Sequence, residues 1–358
     1  MTRVTLRAGG RDVPLLAGPD ALDELRAALE AIDFRGRLFV VADEVAMQLH
    51  GARLDRVVPA GQRLYISGAE ADKNLAQLSR IWDWLVEQRA ERRDALVAFG
   101  GGVVCDVVGF AAASYLRGIG LINIPTTLLA QVDAAVGGKT GINHPRGKNL
   151  IGAFYQPLCV VADTALLASL PARAFAAGMA EVAKIGMIMD ADLFGRLEHQ
   201  VDALEPGAAE ALGPIVSRSI ELKAGVVERD EREAGERMLL NYGHTVGHAL
   251  EAAAGYGTLL HGEAVAVGME AAGLIAYRMG MLDRRDWERQ RQLLERLELR
   301  IRSTDVSSDD VMGRLSMDKK RAGQTQRWVL ADRVGSGRVR EDVPLDLVRE
   351  AVESVTGA

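Results

Sequence analysis

The chain has few cysteines and no long apolar run, and each absence excludes a class of protein. Two of its 358 residues are cysteines, Cys105 and Cys159, which is too few for a disulfide framework and favours a reducing compartment. No apolar stretch is long enough to span a bilayer, and the N-terminus lacks the charged and then apolar order of a signal peptide. We therefore predict a soluble, cytoplasmic protein with no membrane partner.

Basic residues are also fewer than acidic ones. The formal net charge of −6 argues against a nucleic-acid partner, because such proteins usually carry a basic face. The apolar fraction (48%) and the charged fraction (26%) are ordinary for a globular protein. A chain of 358 residues exceeds one typical core, so two domains are expected.

The first half of the chain alternates short apolar runs with helical stretches, which predicts a parallel sheet covered on both faces. Strands are predicted at Arg37–Ala42, Arg63–Ser67, Ala95–Phe99 and Leu121–Ile124, and helices at Ala21–Ile32, Lys73–Arg89 and Val104–Tyr115.

Helical periodicity dominates after about residue 170. Helices are predicted at Ala172–Asp190, Ala208–Glu228, Gly243–Ala254, Glu263–Met279 and Arg285–Leu297, and a strand only at Thr325–Leu330. We therefore predict an α/β domain over residues 1–170 and a mainly α-helical domain over residues 171–358, with the boundary near Leu170-Pro171.

A glycine-rich turn follows the predicted strand Ala95–Phe99. Gly100, Gly101 and Gly102 lead into a helix, and such a turn lets backbone N–H groups and the helix N-terminus bind a pyrophosphate. The spacing is not that of GxGxxG. The alternative is a tight turn that needs glycine for its backbone angles.

Polar residues beside the predicted strands have two interpretations each. Asp43 ends the first of these strands, where it could accept hydrogen bonds from a ribose or cap the next helix. Thr126 and Thr127 follow the fourth and suit either role. Glu70 and Lys73 are three residues apart and could simply form a surface pair.

The stretch Asp133–Asn149 contains four glycines, two lysines, one arginine and two asparagines. We expect a loop whose backbone donors and cations suit a phosphate. Its Gly-Gly-Lys-Thr string resembles part of a P-loop, but Asp133 stands where the first glycine is required. The alternative is a flexible surface loop, which the apolar flanks Thr127–Val132 and Leu150–Phe154 argue against.

Three of the six histidines lie within 18 positions. His244 and His248 are four residues apart, so a helix places them on one face, and with His261 or a carboxylate they could hold a divalent metal that keeps an open position. Glu181 lies among small and apolar residues, where a carboxylate is costly unless it is paired or binds a metal. The alternatives are buried structural histidines and a Glu181–Lys184 helix pair.

These segments, in this order, resemble 3-dehydroquinate synthases over roughly Asp43 to Leu330. The matching strings are Gly100–Val104 with Asp106, Tyr115–Gly118, Ile124–Asp133, Gly137–Gly141, His144-Pro145, Gly147–Asn149, Glu181 with Lys184, Leu240-Asn241, Gly243–Thr245 with Gly247-His248, His261–Glu263 and Asp318–Lys320.

The resemblance implies an N-terminal Rossmann-like α/β domain with a parallel sheet and a helical C-terminal domain. The implied reaction converts 3-deoxy-D-arabino-heptulosonate 7-phosphate to 3-dehydroquinate in the shikimate pathway. Bound NAD⁺ oxidises the C5 hydroxyl transiently, phosphate leaves by β-elimination, the hydride returns, and an intramolecular aldol step closes the ring. The metal is expected to be Zn²⁺, with Co²⁺ as the alternative.

The resemblance also assigns roles to residues. The implied metal ligands are Glu181, His244 and His261, which takes His248 out of the ligand pair and puts it beside the substrate. The implied phosphate-binding residues are Lys139, Asn149, His248, Lys319 or Lys320, and Arg117 from the partner subunit of a homodimer. The other implied catalytic and substrate-binding residues are Asp133, Lys184, Lys223, Arg237 and Asn241. The implied NAD-binding residues are Asp43, Glu70, Lys73, Gly100, Gly101, Gly102, Asp106, Thr126, Thr127, Lys139 and Lys148.

The chain departs from the family pattern at two places, both in the cofactor half. Cys105 replaces a usual glycine and is expected to crowd the turn, and Gly68–Lys73 has one extra residue before Glu70.

Three rival functions fit part of the pattern. Cyclases of sedoheptulose 7-phosphate or glucose 6-phosphate tend to alter Gly137–Gly141 and His144-Pro145, which are intact here. A metal-dependent polyol dehydrogenase needs no phosphate pocket, so Lys139, Asn149 and Lys319-Lys320 argue against it. A non-catalytic NAD-binding protein would have no need of the intact set of metal ligands.

Overall fold

The computed structural model describes residues 1–59, 61–255, 257–322 and 326–357, apart from the side chains of residues 317–322. The chain forms two compact units. Unit 1 contains Met1–Pro171 and Glu205–Arg232, and unit 2 contains Ala172–Leu204 and Glu233–Ala358. The predicted boundary near residues 170 and 171 agrees with the first crossing of the chain into unit 2. The prediction did not foresee that Glu205–Arg232 returns to unit 1.

The helices and strands of the described residues are as follows. The helices are α1 (Leu25–Ala31), α2 (Glu44–Val57), α3 (Leu75–Glu87), α4 (Gly102–Ser114), α5 (Ala172–Met189), α6 (Ala191–Gln200), α7 (Ala209–Arg229), α8 (His244–Ala254), α9 (His261–Arg278), α10 (Arg284–Arg296), α11 (Ser308–Ala322) and α12 (Leu345–Val355). The strands are β1 (Thr2–Ala8), β2 (Arg11–Gly18), β3 (Leu38–Asp43), β4 (Arg63–Ile66), β5 (Ala95–Gly100), β6 (Gly120–Pro125), β7 (Lys139–His144), β8 (Gly147–Phe154), β9 (Cys159–Asp163), β10 (Ser303–Ser307), β11 (Trp328–Arg333), β12 (Ser336–Arg340) and β13 (Thr356–Gly357).

Unit 1 is built on a seven-stranded sheet in the order β1-β2-β9-β6-β5-β3-β4. Only the β1–β2 pair is antiparallel, and every other neighbouring pair is parallel. The inner strand β5 is buried along its whole length, as expected for a strand covered on both faces. The predicted α/β class is therefore confirmed, and all four predicted strands belong to this sheet.

Alternate side chains of the strands enter two separate cores, because successive strand residues point to opposite faces. Val97 and Phe99 pack with the side of the sheet that carries Leu25 and Leu54 of α1 and α2. On the other face, Leu96 and its neighbours pack with α3 and α4.

The segment predicted as a phosphate-binding loop is largely a β-hairpin, so that prediction is wrong for its secondary structure. β7 and β8 pair antiparallel around a two-residue turn at Pro145-Arg146. Ile142 is buried in the core formed with α3 and α4. The strands were not recognised in the sequence because they contain glycine, which the close pairing of the two strands requires. A Cβ on Gly152 would lie 2.0 Å from the Thr140 carbonyl oxygen.

Unit 2 is mainly helical, as predicted. Its helices are α5, α6 and α8 to α12, and two small two-stranded sheets, β10–β13 and β11–β12, complete it. The five predicted helices of the second half are confirmed, although α7 belongs to unit 1. Within the described part of the chain, no helix is long and apolar enough to cross a membrane.

Candidate metal and cofactor sites

Three helices of unit 2 carry a carboxylate and two imidazoles to one point. Glu181 lies on α5, and His244 and His261 begin α8 and α9. Glycines permit the close approach of these helices. A Cβ on Gly262 would lie 1.8 Å from the Ala177 carbonyl oxygen of α5, so the residue after His261 has to be glycine for α9 to reach α5.

The facing atoms of these three side chains have the spacing of metal ligands. Glu181 Oε1 lies 3.8 Å from His244 Nε2 and 3.5 Å from His261 Nε2. Two ligands of a tetrahedral metal at about 2.0–2.1 Å lie about 3.4 Å apart. Glu181 is fully buried, yet its Oε1 has no hydrogen-bond partner. An uncompensated buried carboxylate oxygen is costly, and a cation between the three atoms would compensate it.

Each of the two imidazoles has an acceptor behind it. His244 Nδ1 lies 3.1 Å from the Tyr242 carbonyl oxygen, and His261 Nδ1 lies 3.3 Å from Glu251 Oε2. A carbonyl oxygen only accepts, so the Nδ1 atom of His244 carries the proton and its Nε2 presents a lone pair towards Glu181. This is the tautomer that binds a metal through Nε2.

The surroundings also keep His244 neutral. Burial lowers the pKa of His244 well below its ordinary value, and the nearby Lys184, His261 and His248 lower it further. A neutral imidazole is the form that binds a metal.

His248 offers a second ligand set. One ring nitrogen of each of His244, His248 and His261 lies within 4.8 Å of the others, so geometry permits the three imidazoles alone to hold an ion. His248 is exposed, however, whereas His244 is buried. The buried oxygen of Glu181 without a partner favours the set that contains Glu181, and the position of His248 beside the substrate stays a prediction.

Lys184 contributes to the same site. Its Nζ donates a hydrogen bond to Glu181 Oε2, and both side chains are buried. The helix pair and the metal ligand were alternatives in the sequence, and the two oxygens of Glu181 allow both.

In unit 1, predicted cofactor residues lie at the carboxyl ends of the parallel strands, where ligands of open α/β sheets bind. Asp43 ends β3, and its Oδ1 caps α2 by accepting from the Ala46 N–H at 2.9 Å. Gly68 approaches this carboxylate closely: a Cβ there would lie 2.3 Å from Asp43 Oδ2, so a side chain would displace that oxygen.

The glycine turn and the threonines belong to the same edge. Gly100 ends β5 and Gly102 begins α4, so the glycine turn joins a strand to a helix as predicted. The Thr126 N–H donates to the Gly100 carbonyl oxygen at 2.9 Å. Thr127 Oγ1 accepts from the Ala130 N–H at 3.2 Å, which is its capping role.

Four further predicted site residues meet in one network of unit 1. Lys73, which is buried, donates to Asp106 Oδ2 and to Asn149 Oδ1, both at 2.5 Å. Burial raises the pKa of Asp106, and Lys73 opposes that rise. Glu70 Oε1 accepts from Asn143 Nδ2 at 2.6 Å. The side chains of Glu70 and Lys73 therefore bond to the hairpin and α4 and do not form the surface pair considered above.

Asn143 is a residue that the sequence interpretation missed. Its Oδ1 also accepts from the Asn149 N–H at 2.9 Å, and its own N–H donates to the Lys73 carbonyl oxygen at 2.7 Å. It thereby joins the hairpin to the segment Glu70–Lys73. A partner about seventy positions away leaves no local signal in the sequence.

Asp133 and Lys223 form a second polar pair in unit 1. Lys223 is buried and donates to the Asp133 carboxylate, and to its carbonyl oxygen at 2.6 Å. The return of α7 to unit 1 explains how residues ninety positions apart meet.

The remaining predicted residues are more scattered. Lys139 and Arg117 are exposed and Lys148 is half-buried. In unit 2, Arg237 is buried, and Asn241 Nδ2 donates to Glu233 Oε1 at 2.8 Å. The side chains of Lys319 and Lys320 lie outside the described residues. Cys105 is buried in α4.

Comparison with known proteins identifies the family. A family model described as 3-dehydroquinate synthase N-terminal matches residues 63–177, and its C-terminal counterpart matches residues 178–321. The chain is similar to the 3-dehydroquinate synthase of Halorhodospira halophila, with 46% identity over 350 residues that cover 97% of this chain and 98% of that protein.

Two solved structures are similar over nearly the whole chain. A 2-epi-5-epi-valiolone synthase from Streptomyces hygroscopicus subsp. jinggangensis, with NAD⁺ and Zn²⁺ bound, is 27% identical, with a TM-score of 0.86 and 96% of each chain covered. A 2-deoxy-scyllo-inosose synthase complexed with carbaglucose-6-phosphate, NAD⁺ and Co²⁺ is 28% identical, with a TM-score of 0.85, covering 99% of this chain and 100% of that one. The family models and the more identical relative agree, and the chain belongs to the 3-dehydroquinate synthase family.

Proposed function

We propose that this protein converts 3-deoxy-D-arabino-heptulosonate 7-phosphate to 3-dehydroquinate and phosphate. The observation that carries the proposal is the convergence of Glu181 Oε1 with the Nε2 atoms of His244 and His261 in a chain that belongs to this family. The relative at 46% identity supports this reaction over those of the cyclases at 27–28% identity.

The residues present fit the two cofactors of the proposed reaction. Glu181, His244 and His261 would hold Zn²⁺ or Co²⁺, and the carboxyl edge of the unit 1 sheet, with its glycine turn, would hold NAD. When bound, NAD⁺ accepts and returns a hydride, and the metal polarises the substrate hydroxyls. The assignment of NAD binding to residues 1–170 and of metal binding to residues 171–358 is part of the proposal.

The protein's own side chains hold charge in place around these groups. Lys184 donates a hydrogen bond to Glu181 Oε2, which leaves Oε1 for the cation. Lys223 donates likewise to the carboxylate of Asp133. We propose that Lys223 and Asp133, with Arg237 and Asn241, bind the substrate ring and its carboxylate.

Cations and amides are proposed to hold the phosphate until it leaves. Lys139 is exposed at the start of β7, where its ammonium can reach a ligand, and Asn149 is fixed by Lys73. The proposal adds His248, Lys319 or Lys320 to this group. Positive charge at these positions stabilises the charge that develops on the departing phosphate.

A homodimer in the cytoplasm is also part of the proposal. Arg117 is exposed, with φ of +69°. Three large apolar side chains of β8 are exposed as well: Leu150, Ile151 and Phe154. Exposed apolar side chains favour association, and a second copy would bring its Arg117 to the neighbouring phosphate.

A comparison of phosphate release from three candidate substrates tests the proposed function. Purified protein with NAD⁺ and Zn²⁺ is expected to release phosphate from the heptulosonate phosphate, and not from sedoheptulose 7-phosphate or glucose 6-phosphate at equal concentration. Rapid release from either of the latter, with none from the heptulosonate, would overturn the proposal in favour of a related cyclase. The Lys139→Met variant serves as the control for enzyme-dependent release.

A further inference from the structure

Glu251 is a buried carboxylate to which the proposed function assigns no role. It lies on α8, two turns after His244, and only 5% of it is exposed. Its Oε2 lies 3.3 Å from His261 Nδ1 on α9. Burying a carboxylate is costly unless a partner compensates the charge, so its place behind a candidate metal ligand calls for a physical reason.

The orientation of the His261 ring supplies that reason. Nδ1 is in hydrogen-bonding geometry with Glu251, whereas Nε2 lies 3.5 Å from Glu181 Oε1, an oxygen without a hydrogen-bond partner. A carboxylate accepts hydrogen bonds only. The proton of a neutral His261 therefore belongs on Nδ1, and its Nε2 lone pair faces the same point as Glu181 Oε1.

The two candidate histidine ligands differ in what stands behind them. His244 is held by a neutral carbonyl oxygen and its side chain is 11% exposed. His261 is held by a charged carboxylate, and its side chain is 30% exposed. The charged acceptor supports the ligand that is less well fixed by burial.

We propose that Glu251 is a positioning residue for His261. It selects the Nδ1–H tautomer, fixes the ring towards Glu181, and makes Nε2 a stronger donor to a divalent cation. Outer carboxylates of this kind typically account for about 10- to 100-fold in metal affinity. The inference rests on the proposed metal site.

The test measures Zn²⁺ dissociation constants by competition with a chromogenic chelator. Glu251→Ala is expected to weaken binding by about 10- to 100-fold. Glu251→Gln keeps an acceptor but loses the charge, so a smaller loss is expected. Glu270→Gln is the matched control, because Glu270 is a buried carboxylate on α9 that pairs with Arg291 instead, and its affinity should stay within about twofold of the wild-type value.

A double-mutant cycle separates positioning from a merely structural role. If Glu251 acts through the imidazole, adding Glu251→Ala to His261→Ala should change the residual Zn²⁺ affinity by less than about twofold. If Glu251→Ala weakened Zn²⁺ binding as much in the His261→Ala protein as in the wild type, the inference would be overturned. Wild-type Zn²⁺ affinity in the single variant Glu251→Ala would also overturn it. Thermal unfolding of the metal-free variants identifies any that fail to fold. If Glu251→Ala fails to fold, the visible absorption spectrum of Co²⁺-loaded Glu251→Gln decides instead. A spectrum identical to that of the wild type would also overturn the inference.

These measurements need no substrate, so they are independent of the proposed reaction. A wild-type protein that binds Zn²⁺ tightly but leaves the heptulosonate phosphate intact would refute the activity and not the role of Glu251. A wild-type protein that binds no divalent metal would overturn the role of Glu251 directly.

Discussion

Removing His261 and removing His248 should have different consequences, because only His261 is proposed as a metal ligand. His261 Nε2 lies 3.5 Å from the partnerless Oε1 of Glu181. Loss of a direct ligand should exceed the loss from an outer partner, so we expect His261→Ala to weaken Zn²⁺ binding by at least about 100-fold, equivalent to about 2.7 kcal/mol. His248→Ala should keep Zn²⁺ and lose rate, since the role proposed for His248 is beside the substrate phosphate.

Chelator competition gives the dissociation constants, and phosphate release gives the rate. His199→Ala is a suitable control: His199 is an exposed histidine on α6 that no proposed site includes, so both quantities should remain at wild-type values. Equal loss of Zn²⁺ from His248→Ala and His261→Ala would refute the assignment, and would restore the three imidazoles as the ligand set.

Three further predictions concern packing, coupling and charge. Gly262→Ala should cost several kcal/mol of unfolding free energy and abolish metal binding, because its Cβ would lie 1.8 Å from a carbonyl oxygen of α5. The control Gly195→Ala, in an open helical position, should stabilise the protein by up to about 1 kcal/mol. Similar denaturation midpoints for the two variants would contradict this. Asn143→Asp should weaken NAD⁺ binding about tenfold by calorimetry, because it places a second carboxylate against Glu70, and unchanged affinity would count against the network. Burial alone would raise the pKa of Asp94, but hydrogen bonds from Arg37 and from backbone N–H groups outweigh it and lower that pKa. The ionised Asp94 therefore stabilises the fold above its unfolded pKa of about 3.9, and this stabilisation is lost as pH falls through the lower folded pKa. In Asp94→Asn the free energy of unfolding should therefore fall less steeply as the pH is lowered. An unchanged slope would contradict this.

Local sequence patterns predicted the elements that have a strong period and clear ends. The buried strands around Leu96 and Leu121 and the predicted helices α5, α8, α9 and α10 formed where expected, whereas α6, α11 and α12 were not predicted. The β7–β8 hairpin did not look like a pair of strands, because glycines stand at Gly141 and Gly152, where close backbone contact requires them.

Contacts between distant residues could not be predicted from periodicity. Nothing in the pattern of α7 indicates that it returns to unit 1, and that return decides the pairing of Lys223 with Asp133. Glu251 and Asn143 have unremarkable neighbours in sequence, and their importance depends on partners in other elements.

At the metal site, residue spacing and family resemblance identified different ligand sets, and three-dimensional geometry distinguishes between them. Spacing marked His244 and His248 as one face of a helix, whereas the resemblance selected Glu181 and His261 as the companions of His244. The structure brings all four into one region, and the partnerless oxygen of Glu181 is the feature that favours the second set.

Product stoichiometry tests the central claim most directly. Incubation of the heptulosonate phosphate with protein, Zn²⁺ and NAD⁺ should yield 3-dehydroquinate and phosphate in equal amounts with no net accumulation of NADH, because the hydride is returned in each turnover. Accumulation of NADH in proportion to substrate consumed, without phosphate release, would contradict the claim and indicate a metal-dependent dehydrogenase.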